Sequence, residues 1–364
     1  MRRTPALIVG GGPAGAAAAI VLARAGAPHL LVERSRETGD ALCGGFLSWR
    51  TLAELDRLGV TAAAIGGSPV SRVRLFAGQR MAEASLPYAA LGVSRRRLDS
   101  VMLAQAQAQG AALERGVMVR SIDDMAHTDD GTSLDYEALF LASGKHDVRG
   151  RARPSTARKD DPTLGLRVRL SAGPALDRLI GDAVELHLFD RGYAGIVRQE
   201  DGSVNVCLAV RRSRLRDAGD PAALLRRLGD EAPALGDRLA WLQYQPIDAI
   251  ANVPYGWRAS PGTAGQFRLG DQAGVIPSLA GEGMSIAVTS GAAAARAYLR
   301  GGAAVGPQWQ GDFRHALRRP IGLAAGIMAT AERPTFARPL VALMAGAPIL
   351  PRILAHLTRM NPSH

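Results

Sequence analysis

Cysteine is almost missing from this chain, and so is lysine. The two cysteines, Cys43 and Cys207, cannot build a disulfide framework, and no CxxC pair or Cys/His cluster offers a structural metal site. That usage points to a reducing compartment, the cytoplasm. Aromatic residues make up 5% of the 364 positions, too few to interleave with the basic runs as a nucleic-acid binder requires. No apolar run approaches the ~18 residues of a membrane span. Residues 1–5 are too short for a signal peptide before the first apolar strand, and Arg2-Arg3 precedes no hydrophobic region of the signal type. Lysine stands only at Lys145 and Lys159, so the net charge of +11 comes from arginine. Beside the abundant alanine and glycine, this reads first as compositional bias. The alternative is a positive field that draws in anionic cofactors, carrier-linked substrates or a membrane surface.

What the chain has in plenty is glycine, in two arrangements. Gly10, Gly12 and Gly15 lie between an apolar strand (6–9) and an alanine-rich helix (13–25), and a second strand (29–33) follows. The first glycine permits the tight turn, the second lets backbone approach a pyrophosphate, and the third allows close helix–strand packing. The helix start at Pro13 and Ala14 aims free N–H groups and a positive dipole end at the phosphates. Glu33, ending the second strand, suits the hydroxyls of an unphosphorylated ribose and so FAD or NAD rather than NADP, although Arg34 beside it argues the other way. Far downstream, GDQAGVIPSLAGEG (270–283) opens with Gly270-Asp271 and leads into a long small-residue helix (283–299). Two such turns describe one long ligand held at both ends, and FAD has that shape.

Between them the sequence predicts a helix over 48–58 capped by Ser48, a hairpin over 70–86 around Gly78, and a helix over 95–109. A strand ends at Ser143-Gly144, and 145–160 forms a crossover linker. Residues 163–209 are strand-like, 221–242 helical, and 246–254 leads back to the first lobe. From 320 to 360 the tail is a set of short apolar helices punctuated by Pro334, Pro339, Pro348 and Pro351. It is read as a helical cap; its arginines also suit peripheral contact with a membrane. The expected fold is α/β. A Rossmann-like FAD-binding domain takes 1–69, 93–158 and 258–305; a mainly antiparallel β-sheet substrate domain takes 70–92 and 159–257; a helical segment takes 306–364.

The GGGPAG turn with Ala19, Gly26 and Glu33 resembles the start of the geranylgeranyl reductase and aromatic hydroxylase (p-hydroxybenzoate hydroxylase-like) flavoproteins. Cys43-Gly44-Gly45 is similar to the CGG turn of the reductase branch, Arg95…Leu98-Asp99 to its R..FD helix, and GDQAG…GEG completes the likeness over most of 1–300. The resemblance implies that Asp271 bonds the ribityl chain and that Gly281, Gly283 and Met284 bring a helix start to the flavin's N1/C2 edge. It places Pro277 beside the ring and Arg95, or Arg96, near the pyrophosphate. Gly144 stands where the hydroxylases carry an Asp-Gly pair; here it is Ser143-Gly144, which weakens direct reduction by NAD(P)H, though NAD(P)H remains a candidate donor. Gly192-Tyr193-Ala194-Gly195 lacks the tryptophan of the reductases' G-Y-x-W stretch, and the halogenases' WxWxIP is absent.

Cys43 reads either as a proton donor beside the flavin or as a small buried hydrophobe; Cys207 reads as packing. In the second lobe Asp190 and Tyr193, next to the Gly192 turn, are the catalytic candidates, ahead of His187 and Arg167. The first reading is a monooxygenase of a hydrophobic phenolic or polyketide-like metabolite acting through a flavin C4a-hydroperoxide. The alternatives are a reductase of isoprenoid-type double bonds and a flavin-binding electron-transfer module.

Overall fold

The computed structural model describes residues 2–154, 160–243 and 245–346. Among them the strands form a seven-stranded and an eight-stranded sheet. In the first, four parallel strands run inward from one edge in the order Ala112–Arg115, His29–Glu33, Arg2–Val9, Ser133–Leu141, with Gln266–Arg268 parallel to the last. Residues 6–9 and 29–32 are covered on both faces, which explains the apolar runs of the two strands that hold them. Ala6 and Ile8 point toward the helices, whereas Leu7 and Val9 point to the opposite layer with Ile122 and Leu139. The helices Pro13–Arg24, Arg95–Ala108 and Gly283–Gly301 share the first of these faces.

The alanines thereby acquire a structural use. Helix Gly283–Gly301 lies so close to helix Pro13–Arg24 that a Cβ on Gly291 would stand 2.0 Å from the Ala14 carbonyl oxygen. Small residues on both helices let the distant end of the chain seat against its beginning.

The second sheet runs in the order Asp248–Val253, Thr163–Leu170, Val204–Arg211, Gly192–Arg198, Ala183–Phe189, Ser68–Ala77, Arg80–Gly92, Phe46–Leu47. Its back face packs Leu166, Val168, Phe189, Val206 and Leu208 against helices Pro174–Ile180, Pro221–Glu231 and Pro233–Leu239. Its front face, with Leu75, Leu186, Leu188 and Tyr193, meets the tail helices Arg318–Ala331 and Pro334–Gly346.

Several expectations shift. The 246–254 segment is no return passage, because Asp248–Val253 is an edge strand of the second sheet beside Thr163–Leu170. The strand-like reading of 163–209 passes over helix Pro174–Ile180, which starts on a proline and buries Leu176 and Ile180 four residues apart. The basic residues 211–216 pass from strand Val204–Arg211 into helix Arg212–Ala218, where Arg211 pairs with Glu332 and Arg214 with Glu231. The helical stretch 221–242 breaks at Ala232, before Pro233. Phe46–Leu47, inside the first expected segment of the nucleotide domain, pairs with the second sheet. Pro339 sits inside its helix, while Pro348 and Pro351 lie outside the described residues.

Candidate functional site

A cavity of about 1620 Å³ is lined by residues of both sheets. Pockets for one ligand usually span about 300–1,000 Å³, so this one has room for a dinucleotide and a second molecule.

Its nucleotide end is made mostly of backbone. Gly10, Gly12, Pro13 and Ala14 form the wall, while Gly15 stands behind it. Gly10 has φ 108, and a Cβ on Gly15 would come 1.9 Å from the Gly10 carbonyl oxygen, so the turn tolerates no side chain there. No side chain caps helix Pro13–Arg24, whose first N–H groups therefore face the cavity. The Glu33 carboxylate accepts hydrogen bonds from the N–H groups of Gly11 (2.7 Å) and Ser35 (2.9 Å), which fix it in the wall with lone pairs to spare. Arg34 also lines the cavity and lies 3.0 Å from His146 Nε2. Burial, then Arg34 itself, depresses the His146 pKa and keeps that ring neutral.

Arg95, not Arg96, lines the cavity. Its guanidinium donates to both oxygens of Asp99 (2.9 and 2.8 Å) and reaches Gly12, where a Cβ would stand 3.3 Å away. Burial opposes its charge, yet Asp99 raises its pKa above the ordinary value, so a fixed cation stands beside the phosphate turn.

The middle of the cavity gathers segments distant in sequence. Cys43 and Gly44 line it, and their carbonyl oxygens accept from Asn205 Nδ2 at 3.1 and 2.9 Å. Arg167 clamps the same loop through Asp40 Oδ2 (2.9 Å) and the Ala41 carbonyl oxygen (3.1 Å). Fully buried Gln272 donates to the Gly144 carbonyl oxygen at 2.9 Å, tying that turn to the Gly270-Asp271 turn. Asp271 and Gly144 both line the cavity, with Lys145 Nζ 3.9 Å from the Asp271 carboxylate. Gly281, Gly283 and Met284 complete this part. Helix Gly283–Gly301 begins there without a side-chain cap, and Gly283 is exposed to the cavity.

The far end comes from the second sheet and the tail. Leu75, Leu86, Val184 and Leu186 face Leu323, Ile327, Leu340 and Met344 across it. Three hydroxyls meet at its head: Tyr193 donates to Ser278 Oγ at 2.5 Å, and Tyr255 shares the same oxygen. Burial raises the pKa of both phenols, so each remains protonated. Cys207 lines this end too, and burial pushes its thiol up to about 12.

Two of the catalytic candidates fall elsewhere. Asp190 is absent from the wall; the strand turns away at Arg191, whose guanidinium holds that carboxylate at 2.9 Å. Pro277 is buried and outside the lining, between Ile276 and Ser278, which do line it. His187 points to the back of the sheet, by Glu185. Ser278 and Tyr255 carried no periodic or motif signal, although Ser278 follows Pro277 within the glycine-rich stretch. Lys145 was conspicuous only as one of two lysines.

The glycine turn, Glu33 and the uncapped helix start suit a dinucleotide, and comparison with known proteins agrees. Residues 3–149 match the FAD binding domain family. A menaquinone reductase of Mycolicibacterium smegmatis is 28% identical over 327 residues, 82% of this chain and 77% of that protein. Among solved structures, a geranylgeranyl bacteriochlorophyll reductase-like protein from Thermoplasma acidophilum superposes with a TM-score of 0.76 at 18% identity, covering 100% of this chain and 98% of that one. PqsL of P. aeruginosa, in complex with 2-aminobenzoylacetate, gives 0.72 at 17% identity over 93% and 100%. Among the described residues no helix is long and apolar enough to cross a membrane, and no group of acidic, His or Cys residues could hold a metal. Fold, cradle and family match converge on one statement: the chain is an FAD-dependent oxidoreductase.

Proposed function

We propose that this oxidoreductase reduces a carbon–carbon double bond in an isoprenoid-type lipid. The observation that carries the reading is the far end of the cavity. Among the described residues that the second sheet and tail contribute to its wall, none is a carboxylate or an imidazole; the polar groups are hydroxyls and one neutral thiol. A hydroxylase acting on a phenol needs a base within hydrogen-bond reach, and this wall supplies none, so hydroxylation takes second place. A reductase needs an apolar sleeve and a proton donor. The sequence relative is a reductase of menaquinone, and a fold relative is geranylgeranyl reductase-like; both names denote polyisoprenoid molecules.

Bound FAD supplies the electron pair, delivered as hydride. Gly10, Gly12, Pro13 and Ala14 would hold its pyrophosphate, with Arg95 as counter-charge; Glu33 would accept from the adenosine ribose and Asp271 from the ribityl chain. The free N–H groups at Gly283 and Met284 would face the flavin's N1/C2 edge and favour its reduced, anionic form. The leucine-rich walls exclude water and align the chain of the substrate. Ser278, with Tyr193 and Tyr255 behind it, holds a transferable proton at Oγ, and Cys43, which lines the cavity from the loop side, is the alternative donor. Gly195 stands where the resembled reductases carry tryptophan, and its missing side chain widens the sleeve.

The test is anaerobic. Reduced protein mixed under argon with a short-chain menaquinone and with a geranylgeranyl lipid should yield a product carrying two more hydrogens in its isoprenoid chain, located there by fragmentation in mass spectrometry after any quinol is reoxidised to quinone, as the flavin reoxidises. Substrate-dependent oxygen uptake with phenols, and no such product, would overturn the reading.

A further inference from the structure

Charge is distributed unevenly over the last described helices. Arg318, Arg319, Arg333 and Arg338 are all exposed, and among the described residues none of them pairs with a carboxylate. The one acid between Phe313 and Gly346 is Glu332, which is buried and taken up by Arg211 at 2.7 Å. Between these arginines the outward positions are apolar but for Thr335. Helix Arg318–Ala331 turns Ile321, Ala324 and Met328 inward and leaves Ala325 and Ala329 exposed, while Gly322, Leu323 and Gly326 are exposed where the helix lines the mouth of the cavity. Helix Pro334–Gly346 turns Ala337, Val341 and Met344 inward. Its Phe336 and Leu343 are 54% and 60% exposed. They are two turns apart and so lie on one side of the helix.

A helix side facing water ordinarily carries polar residues. Here it carries a phenyl ring and a leucine, on a segment whose guanidinium groups pair with no carboxylate among the described residues. The neighbouring hairpin continues the pattern: Met81 is 49% exposed beside exposed Arg80, and the Arg338 guanidinium lies over the turn, 3.3 Å from where a Gly78 Cβ would be. Apolar side chains that insert shallowly, ringed by cations that meet phosphate headgroups, make an interfacial surface. The same two helices supply Leu323, Ile327, Leu340 and Met344 to the wall of the cavity.

We infer that the outer side of these two helices seats on an anionic lipid bilayer, and that the cavity takes its substrate directly from that bilayer. The occupant is set by charge complementarity: four cations that pair with no carboxylate among the described residues, and no exposed acid between Phe313 and Gly346, match an anionic surface and not a neutral one. The second half of the inference rests on the isoprenoid reading above; the docking does not.

The experiment uses the full-length holoprotein and vesicles of phosphatidylcholine with or without phosphatidylglycerol. Cosedimentation should occur with the anionic vesicles and fall at least about tenfold on phosphatidylcholine alone. Arg318→Glu with Arg319→Glu should weaken binding by roughly fivefold or more for each charge. Phe336→Ser with Leu343→Ser should weaken it comparably, and both pairs should retain flavin. Hydrogen exchange across 318–346 should slow only when anionic vesicles are present. The docking is overturned by absent binding, by equal binding to neutral vesicles, or by protection of 318–346 without lipid. Such protection would assign the surface to a second copy if it rises with protein concentration, and to residues 347–364 if it does not.

Activity separates the two readings. Phe336→Ser/Leu343→Ser should turn over detergent-dispersed substrate normally and lose turnover of vesicle-embedded substrate. Vesicle binding without reduction of any isoprenoid would refute the proposed function and leave the docking. Reduction of dispersed substrate without vesicle binding would do the reverse.

Discussion

The two ends of the cavity recognise their occupants by opposite means. At the nucleotide end the chain offers backbone N–H groups, a fixed carboxylate and a fixed arginine, and the side chains are mostly missing because the residues are glycines. At the substrate end the backbone is spent on sheet pairing, and recognition falls to leucines, two phenols and a serine. The first is a device of conformation and the second one of shape. A conformational device fails when a single atom is added, whereas a shape device degrades in proportion to the volume changed.

The most drastic way to test this contrast is Gly15→Val. With no room beyond the Gly10 carbonyl oxygen, the turn must open, and the protein should purify colourless and fail to take up added FAD by absorbance titration. Retained stoichiometric flavin would mean the turn is not the cradle.

Next comes the support behind the substrate end. Glu185 is fully buried and accepts from Arg238 through both oxygens at 2.8 Å, with His187 and Arg74 at 3.1 Å. Glu185→Ala strands those cations and should cost about 3–5 kcal/mol in urea unfolding, while the nucleotide end still binds flavin below the transition. Burial alone would raise this carboxyl, but the His187 and Arg238 hydrogen bonds bring its pKa down to about 2. A depressed folded value means its contribution is complete above the ordinary value of 4.5 and is lost as pH falls toward about 2. Glu185→Gln should therefore flatten the loss of stability across that acid window; an unchanged acid slope would assign it to other carboxylates.

A smaller effect should follow Ser278→Ala, which removes the oxygen shared by two phenols. If it holds the transferred proton, single-turnover reduction of the alkene should slow by ~10²-fold with the flavin spectrum unaltered. An unchanged rate would move the proton donor to Cys43, where Cys43→Ser would then carry the loss. The mildest test is Gly195→Trp. Filling the sleeve should exclude long isoprenoids, lower kcat/KM for short ones by only about tenfold, and leave FAD affinity unchanged. Equal loss for both lengths would show that the ring disrupts the sheet.

The same contrast explains what was legible in the sequence. Gly10, Gly12, Gly15, Glu33 and the Gly270–Gly283 stretch could be read because a backbone conformation demands particular residues at particular spacings. The strand Asp248–Val253 could not, since an edge strand with mostly exposed residues shows little of the usual alternation. Helix Pro174–Ile180 is two turns long and was submerged in the surrounding strand pattern. Ser278 and Tyr255 meet across 23 residues through a contact that no period encodes. Asp190 looked promising beside a glycine turn, but only the left-handed Arg191 at φ 59 decides which way that turn faces. The arginine excess was ascribed to composition, yet Arg74, Arg95, Arg167, Arg211 and Arg238 are each committed to a carboxylate.

Asn205 and Arg167 hold the Asp40–Gly44 loop from a sheet made more than a hundred residues later, and helix Gly283–Gly301 seats on the first helix of the chain. During synthesis the phosphate turn therefore emerges early but has nothing to close upon. The cradle is finished only after most of the polypeptide has left the ribosome, so a fragment ending at residue 149 contains the fingerprint without the site. Cofactor capture is in this sense a checkpoint on the whole chain: a molecule that has turned yellow has already assembled both sheets.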